Sequence, residues 1–264
     1  QELVRALSER EVTIFACVPQ FFYLIHERIM REVEKRGALA GTLFKAMLAT
    51  NFRARRMGVN LGPSLFGKVH QLMGRQMRLF VTGGSKFDPA IGRDLYSLGF
   101  TILQAYGLTE TSPAATMNPL DLPEYNGCIG LPISSTEVAI RDDDGKDLPL
   151  GQPGELCIRG PQVMKGYWNR PDETAKVIMA DGFLRTGDVA VMNGDGYVKI
   201  VDRKKDMILV SGFNVYPNEI EDVLALHPGV LESAAVGVPD EKTGEAIKIF
   251  VVRKDPNLTE ASII

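Results

Sequence analysis

Six consecutive residues, Tyr106-Gly107-Leu108-Thr109-Glu110-Thr111, put an aromatic ring, a glycine, hydroxyls and a carboxylate side by side. An aromatic face can stack on a nucleobase, and glycine lets backbone approach a ligand closely. A threonine hydroxyl can hydrogen-bond a phosphate oxygen. A glutamate can hold magnesium, which takes one or two carboxylates plus phosphates. A plain loop uses the same residue types, so spacing leaves both readings open. The second candidate is Leu184-Arg185-Thr186-Gly187-Asp188. A carboxylate at the start of a strand can accept two ribose hydroxyls, and a turn aspartate fits equally well. Third comes Asp202-Arg203-Lys204-Lys205-Asp206, which alone reads as a charged linker. Gly62-Pro63-Ser64-Leu65-Phe66-Gly67-Lys68 matches G-x-x-x-x-G-K, but Val69 stands where a phosphate loop needs Ser or Thr, and no convincing strand precedes it. We read it as a surface loop.

Composition narrows the chemistry further. The 264 residues are 45% hydrophobic and 24% charged, which is ordinary globular make-up for one or two domains. A formal net charge of -3 argues against a nucleic-acid partner. Cys17, Cys128 and Cys157 are far apart and form no C-x-x-C pair, and His26, His70 and His227 do not cluster with them. Zinc is not expected; reduced cysteines serving as small apolar residues are. No apolar run reaches the ~20 residues that span a bilayer, and no signal peptide opens the chain. A cytoplasmic protein is expected, with peripheral contact to a membrane left open. Gln1 in place of Met, and an end at Ile264 just after a helix begins near Leu258-Thr259-Glu260, lead us to expect a piece of a longer protein.

The elements that must position these residues follow from the pattern. Thr13–Val18 reads as a strand with Pro19 opening a helix. Leu43–Met57 reads as a helix whose Arg53, Arg55 and Arg56 form a solvated face. Leu79–Thr82 is a strand, Gly83-Gly84-Ser85 a turn, Asp88-Pro89 an N-cap with proline at the first helical position, and Gly99 the helix stop. Thr101–Tyr106 is the next strand. This βαβ unit implies parallel strands, with both glycine loops at their carboxyl ends, where open α/β sheets bind ligands. From Ile129 to Val201 the pattern turns to short strands and hairpins, including Asp188–Met192 and Tyr197–Val201 around Asn193-Gly194-Asp195-Gly196. After Pro217 an α+β pattern begins, with a helix through Ile220, Val223 and Leu224 and strands at Ser233–Val238 and Ala246–Val252.

Taken together and in order, these segments resemble the adenylate-forming superfamily of acyl- and aryl-CoA synthetases, peptide-synthetase adenylation domains and beetle luciferases. Val81-Thr82-Gly83-Gly84-Ser85 is similar to the family's SGGA loop, and Gln104-Ala105-Tyr106-Gly107-Leu108-Thr109-Glu110 to its YGxTE motif. Gly154-Glu155-Leu156-Cys157-Ile158-Arg159-Gly160 with Gly166-Tyr167-Trp168 resembles its GELxxrG…GYw run. Thr186-Gly187-Asp188, Asp202–Asp206 and Ser211–Glu221 complete the set.

The resemblance implies an α/β chain built from the C-terminal part of the family's large domain: a parallel-sheet α/β subdomain (1–128), a β-barrel-like subdomain (129–201), then a hinge and the start of the α+β lid (202–264). It implies an enzyme, an acid–thiol ligase that activates a carboxylic acid with ATP to an acyl-adenylate and then to acyl-CoA, releasing pyrophosphate and AMP. The wording of 202–217 is closest to long-chain fatty acid–CoA ligases. Alternatives are a shorter-chain or aryl acid:CoA ligase, a fatty acyl-AMP ligase, a luciferase-type oxidase, or a non-catalytic nucleotide-binding module. The implied small molecules are a fatty acid, ATP or AMP, Mg2+ and coenzyme A. By the same resemblance Tyr106 stacks on adenine, with Gly83, Gly84, Ser85, Gln104 and Gly107 around the nucleotide. Thr109 contacts the α-phosphate, Glu110 holds the metal, Asp188 binds the ribose and Arg203 supports ribose and phosphate. Asp202 is the hinge, and Ser211 and Gly212 line the CoA channel. The family's phosphate loop and lid lysine are not found in these residues, so this stretch by itself is expected to be inactive.

Overall fold

The computed structural model describes residues 2–120, 127–240 and 242–263; Gln1 and Ile264 lie outside them. The chain divides into two compact units, Gln1–Thr136 with Gly160–Lys165, and Glu137–Arg159 with Gly166–Ile264.

In the first unit the elements run α1 (Glu2–Glu9), β1 (Ile14–Cys17), α2 (Pro19–Glu34), α3 (Ala38–Arg56), α4 (Gly62–Leu65), α5 (Gly67–Met73), β2 (Leu79–Thr82), α6 (Pro89–Ser97), β3 (Ile102–Tyr106), β4 (Thr116–Met117) and β5 (Leu131–Pro132). The sheet has the order β1-β2-β3-β4-β5. β1, β2 and β3 are parallel, as the βαβ pattern predicts, and β4 and β5 continue antiparallel. Helix α2 starts on Pro19 and buries Phe22, Ile25 and Ile29, the apolar stripe of a 3.6-residue period. Phe22 meets Phe80 and Phe87 edge-to-face at 5.4 and 5.6 Å. Each such ring buried contributes about 1.5–3 kcal/mol. Asp88 caps α6, its Oδ1 accepting from the amides of Ala90 at 2.7 Å and Ile91 at 3.0 Å.

Two expectations change here. Arg55 is not part of a solvated face. Its guanidinium donates to the carbonyls of Tyr96 (2.7 Å) and Phe100 (2.8 Å) and lies 3.7 Å from the Tyr96 ring centroid, closing the C-terminal end of α6. Residues 62–68 are not a surface loop but the short helices α4 and α5. Gly62 is buried against 98–99, and a Cβ there would overlap the carbonyl of Leu98, so the position must be glycine. Its glycine serves helix packing, not phosphate binding.

The second unit contains β6 (Glu137–Arg141), β7 (Gly154–Arg159), α7 (Pro171–Val177), β8 (Leu184–Met192), β9 (Val198–Arg203), β10 (Ile208–Val210), β11 (Phe213–Val215), α8 (Pro217–Ala225), β12 (Val230–Asp240) and β13 (Gly244–Arg253). β6-β7-β8-β9 form an antiparallel meander. The β8–β9 hairpin closes as its turn residues predict, with Asn193 Oδ1 accepting from the amides of Asp195 and Tyr197. A second sheet, β11-β10-β13-β12, carries α8 against β12. The helix expected near Leu258 is a single 3-10 turn, Glu260–Ser262, among the described residues. No helix among the described residues is long and apolar enough to cross a membrane.

Candidate functional site

The residues singled out in the first unit converge on one edge of its sheet. β2 ends in Thr82 and β3 in Tyr106, and these strands are neighbours in parallel register with Thr82 opposite Gln104. Their following loops, Gly83-Gly84-Ser85 and Gly107–Glu110, therefore leave the sheet side by side at its carboxyl edge. Two of the glycines are demanded by the protein itself. A Cβ on Gly83 would overlap the carbonyl of Ala105, and one on Gly107 the carbonyl of Pro113. Gly84 differs: it has φ +86° with open space around it, so it serves the bend of an exposed turn.

The segment that carries the hydroxyl and the carboxylate is a 3-10 turn, Thr109–Thr111. Buried Thr111 fixes it: its Oγ1 accepts from the amide of Leu108 at 2.8 Å and donates to the Leu108 carbonyl at 3.1 Å. The carbonyl of Glu110 accepts from the amide of Met164 at 2.8 Å, pinning the turn to the returning segment 160–165. Thr109 is left exposed, and Tyr106 and Glu110 are half-buried. Gln104 is buried within the sheet. One half-buried carboxylate beside an exposed hydroxyl suits a magnesium ion that takes its other ligands from phosphates. Among the described residues no group of three or more His, Cys, Asp or Glu is gathered to cage a metal.

In the second unit, Asp188 and Arg203 face each other across β8 and β9. Asp188 is buried, with Arg203 Nε 3.7 Å from its Oδ1, while the Arg203 side chain is 62% exposed. Thr186 Oγ1 accepts from the Asp188 amide at 3.1 Å and donates to the Leu156 carbonyl at 2.7 Å. Asp202, next along β9, is buried as well. Its Oδ1 accepts from the Arg203 amide at 2.7 Å and its Oδ2 from the Asn218 amide at 3.0 Å, so it caps α8 from a neighbouring strand. Ser211 and Gly212, at φ +50° and +83°, form the two-residue turn between β10 and β11 that this pairing requires, and both are exposed.

The sequence motifs assign no role to Glu155, Asp143 or Lys204. Glu155 is buried, and its Oε2 accepts from Lys204 Nζ at 3.0 Å and Arg185 Nη1 at 3.3 Å. Lys204 Nζ also lies 2.7 Å from Asp143 Oδ1. Burial of Lys204 lowers its ammonium pKa, but the bonds to Asp143 and Glu155 outweigh it and the net shift is upward; the same ammonium lowers the pKa of Asp143. The available signal was a glutamate inside an otherwise apolar strand, where a charge needs a partner.

Comparison with known proteins agrees with the motif order. The family model of the AMP-binding enzyme matches residues 1–168, and that of the AMP-binding enzyme C-terminal domain matches 219–264. A long-chain-fatty-acid–CoA ligase of Yersinia pestis is 59% identical over 189 residues, covering 71% of this chain and 34% of that protein. A feruloyl-CoA synthase of Amycolatopsis is 40% identical over 180 residues, covering 68% and 36%. The chain thus spans about a third of the length of the curated relatives it matches. Among solved structures, ATP-bound MatB from Rhodopseudomonas palustris aligns with a TM-score of 0.75 at 30% identity, over 99% of this chain and 44% of that one. With its family model matched over residues 1–168, the chain belongs to the AMP-binding enzyme family.

Proposed function

We propose that the protein activates a long-chain fatty acid with ATP, forming an acyl-adenylate and pyrophosphate, and then passes the acyl group to coenzyme A with release of AMP. The observation that carries this reading is the pair of glycine loops leaving adjacent parallel strands β2 and β3, with Tyr106, Thr109 and Glu110 on the second. Identity of 59% to a long-chain-fatty-acid–CoA ligase supports the acid and the acceptor. The 40% identity to a feruloyl-CoA synthase favours an aryl acid as the second reading.

Each residue's setting supports the task given to it. The Tyr106 ring, half-buried at the strand end, gives adenine a stacking face. The exposed Thr109 hydroxyl donates to the α-phosphate. Asp188, buried and with its amide held by the Thr186 hydroxyl, accepts from the ribose hydroxyls. The exposed Arg203 guanidinium, beside Asp188, balances phosphate charge. Glu110 holds magnesium, which when bound supplies positive charge against the phosphates. The acid's carboxylate attacks the α-phosphorus and pyrophosphate leaves; the thiol then attacks the acyl carbonyl and AMP leaves. Asp202 is the hinge on which these two steps alternate, and Ser211 and Gly212 border the path of the thiol. The protein is expected to work in the cytoplasm.

Pyrophosphate release by the full-length protein, measured with fatty acids of graded length and with ferulate, tests the reading. Release that rises with chain length is expected. Release with ferulate alone selects the second reading, and none with any acid contradicts both.

A further inference from the structure

Residues Thr186-Gly187-Asp188 are a bulge. Between the pairs Cys157–Arg185 and Glu155–Val189, β7 spends one residue, Leu156, and β8 spends three. Toward β7 the bulged residues lose their regular ladder partners, while Asp188 still pairs with Arg203 of β9, and such a bulge re-aims a side chain, here that of Asp188. Something must hold them in place.

Glu155 lies under the bulge. Its Oε1 accepts from the Gly187 amide at 3.3 Å, and its Oε2 takes the Lys204 ammonium at 3.0 Å and the Arg185 guanidinium at 3.3 Å. From the other side, the Lys204 amide donates to the Gly187 carbonyl at 2.8 Å. Gly187 is therefore gripped at both its N–H and its C=O. Its φ of +75° with open space around it shows that nothing else confines it sterically. The carboxylate is 7% exposed and lies on two cations, one of them shared with Asp143, so it is paired and its geometry is fixed.

We propose that Glu155 is a positioning residue for nucleotide binding: through Gly187 and Lys204 it holds the bulge that aims Asp188. The proposal rests on the reading of Asp188 as the ribose ligand. It separates Glu155 from a residue that only stabilises the fold, because its effect on the nucleotide must pass through Asp188.

The test uses the full-length protein with four forms: wild type, Glu155→Gln, Asp188→Ala and the double variant. AMP affinity is read by calorimetry and backbone exchange of 184–189 by hydrogen–deuterium exchange without ligand. Glu155→Gln keeps the shape and loses the charge. It should weaken AMP about tenfold, speed exchange at 186–188, and leave KM for the fatty acid unchanged. The double variant should bind AMP no more weakly than Asp188→Ala, since two residues acting as one unit are not additive. Losses that multiply, or unchanged exchange at 186–188, overturn the proposal. So does a general fall in melting temperature with AMP affinity intact. If Asp188→Ala binds AMP like wild type, the ribose reading itself has failed, and the role given to Glu155 falls with it. Should Glu155→Gln not fold, Lys204→Met removes one cation and leaves the Lys204 amide in place; it should show the same non-additivity with Asp188→Ala, and additivity there overturns the proposal.

Discussion

The loop after β3 and the bulge of β8 solve one problem, holding a few polar groups at fixed positions, by opposite means. The loop is built from contact between backbones. Gly107, like Gly83 in the neighbouring loop after β2, leaves no room for a methyl group, and a threonine, Thr111, ties the turn to itself without any charge. The bulge is built from charge. Glu155, Lys204, Arg185 and Asp143 form a network beneath Gly187, where a Cβ would meet nothing. A site made of close packing should fail when volume is added. A site made of paired charges should fail when charge is removed.

The largest effect is expected at Gly107. In Gly107→Ala the new methyl group overlaps the Pro113 carbonyl, so the loop must move or the chain unfold. Destabilisation above about 3 kcal/mol and loss of adenylation are expected, read by thermal melting and pyrophosphate release. A variant that melts like wild type breaks the packing half of the comparison. Next is Glu110→Gln, which keeps volume and removes charge. Adenylation should fall by roughly a hundred- to a thousandfold, with a smaller change in AMP binding because AMP has no pyrophosphate for a metal to bridge. Equal losses in rate and AMP affinity would make Glu110 a structural residue.

In the second unit, Asp188→Ala should weaken AMP about ten- to a hundredfold, from the loss of charge-assisted bonds of ~1.5–3 kcal/mol. Unchanged calorimetry removes Asp188 from the site. Asp202→Pro fixes φ, deletes a backbone donor and removes the carboxylate that accepts from the Arg203 and Asn218 amides; it should cripple one half-reaction and leave the other nearly intact. Stopped-flow timing of pyrophosphate release and of thioester formation from preformed adenylate reads the two apart. Equal slowing of both means that residue 202 is not the hinge. The smallest effect is expected from Gly84→Ala, where the strain of φ +86° costs about 1–2 kcal/mol but no neighbour is displaced. Its melting temperature should drop modestly, and its AMP affinity should stay within a few-fold. A loss as deep as that of Gly107→Ala would mean the open turn is packed as tightly as its neighbour.

Much of this was legible in the sequence because it is local. The strand at Leu79–Thr82, the cap at Asp88, the hairpin at Asn193 and the order of the motifs each depend on a few neighbouring residues. What was not legible depends on distance along the chain. Glu155 meets Gly187 across 32 positions and Lys204 across 49, and Arg55 reaches Phe100 across 45. Gly107 is the exception: its reason lies within the same loop, in how the chain turns back at Pro113, which residue type alone does not encode.

Acid-dependent exchange of radiolabelled pyrophosphate into ATP by the full-length protein, with no thiol present, tests acyl-adenylate formation most directly. If the chain forms an acyl-adenylate, exchange appears only when a fatty acid is added and needs no coenzyme A. Exchange that is absent with every acid, or that runs equally well without one, contradicts it.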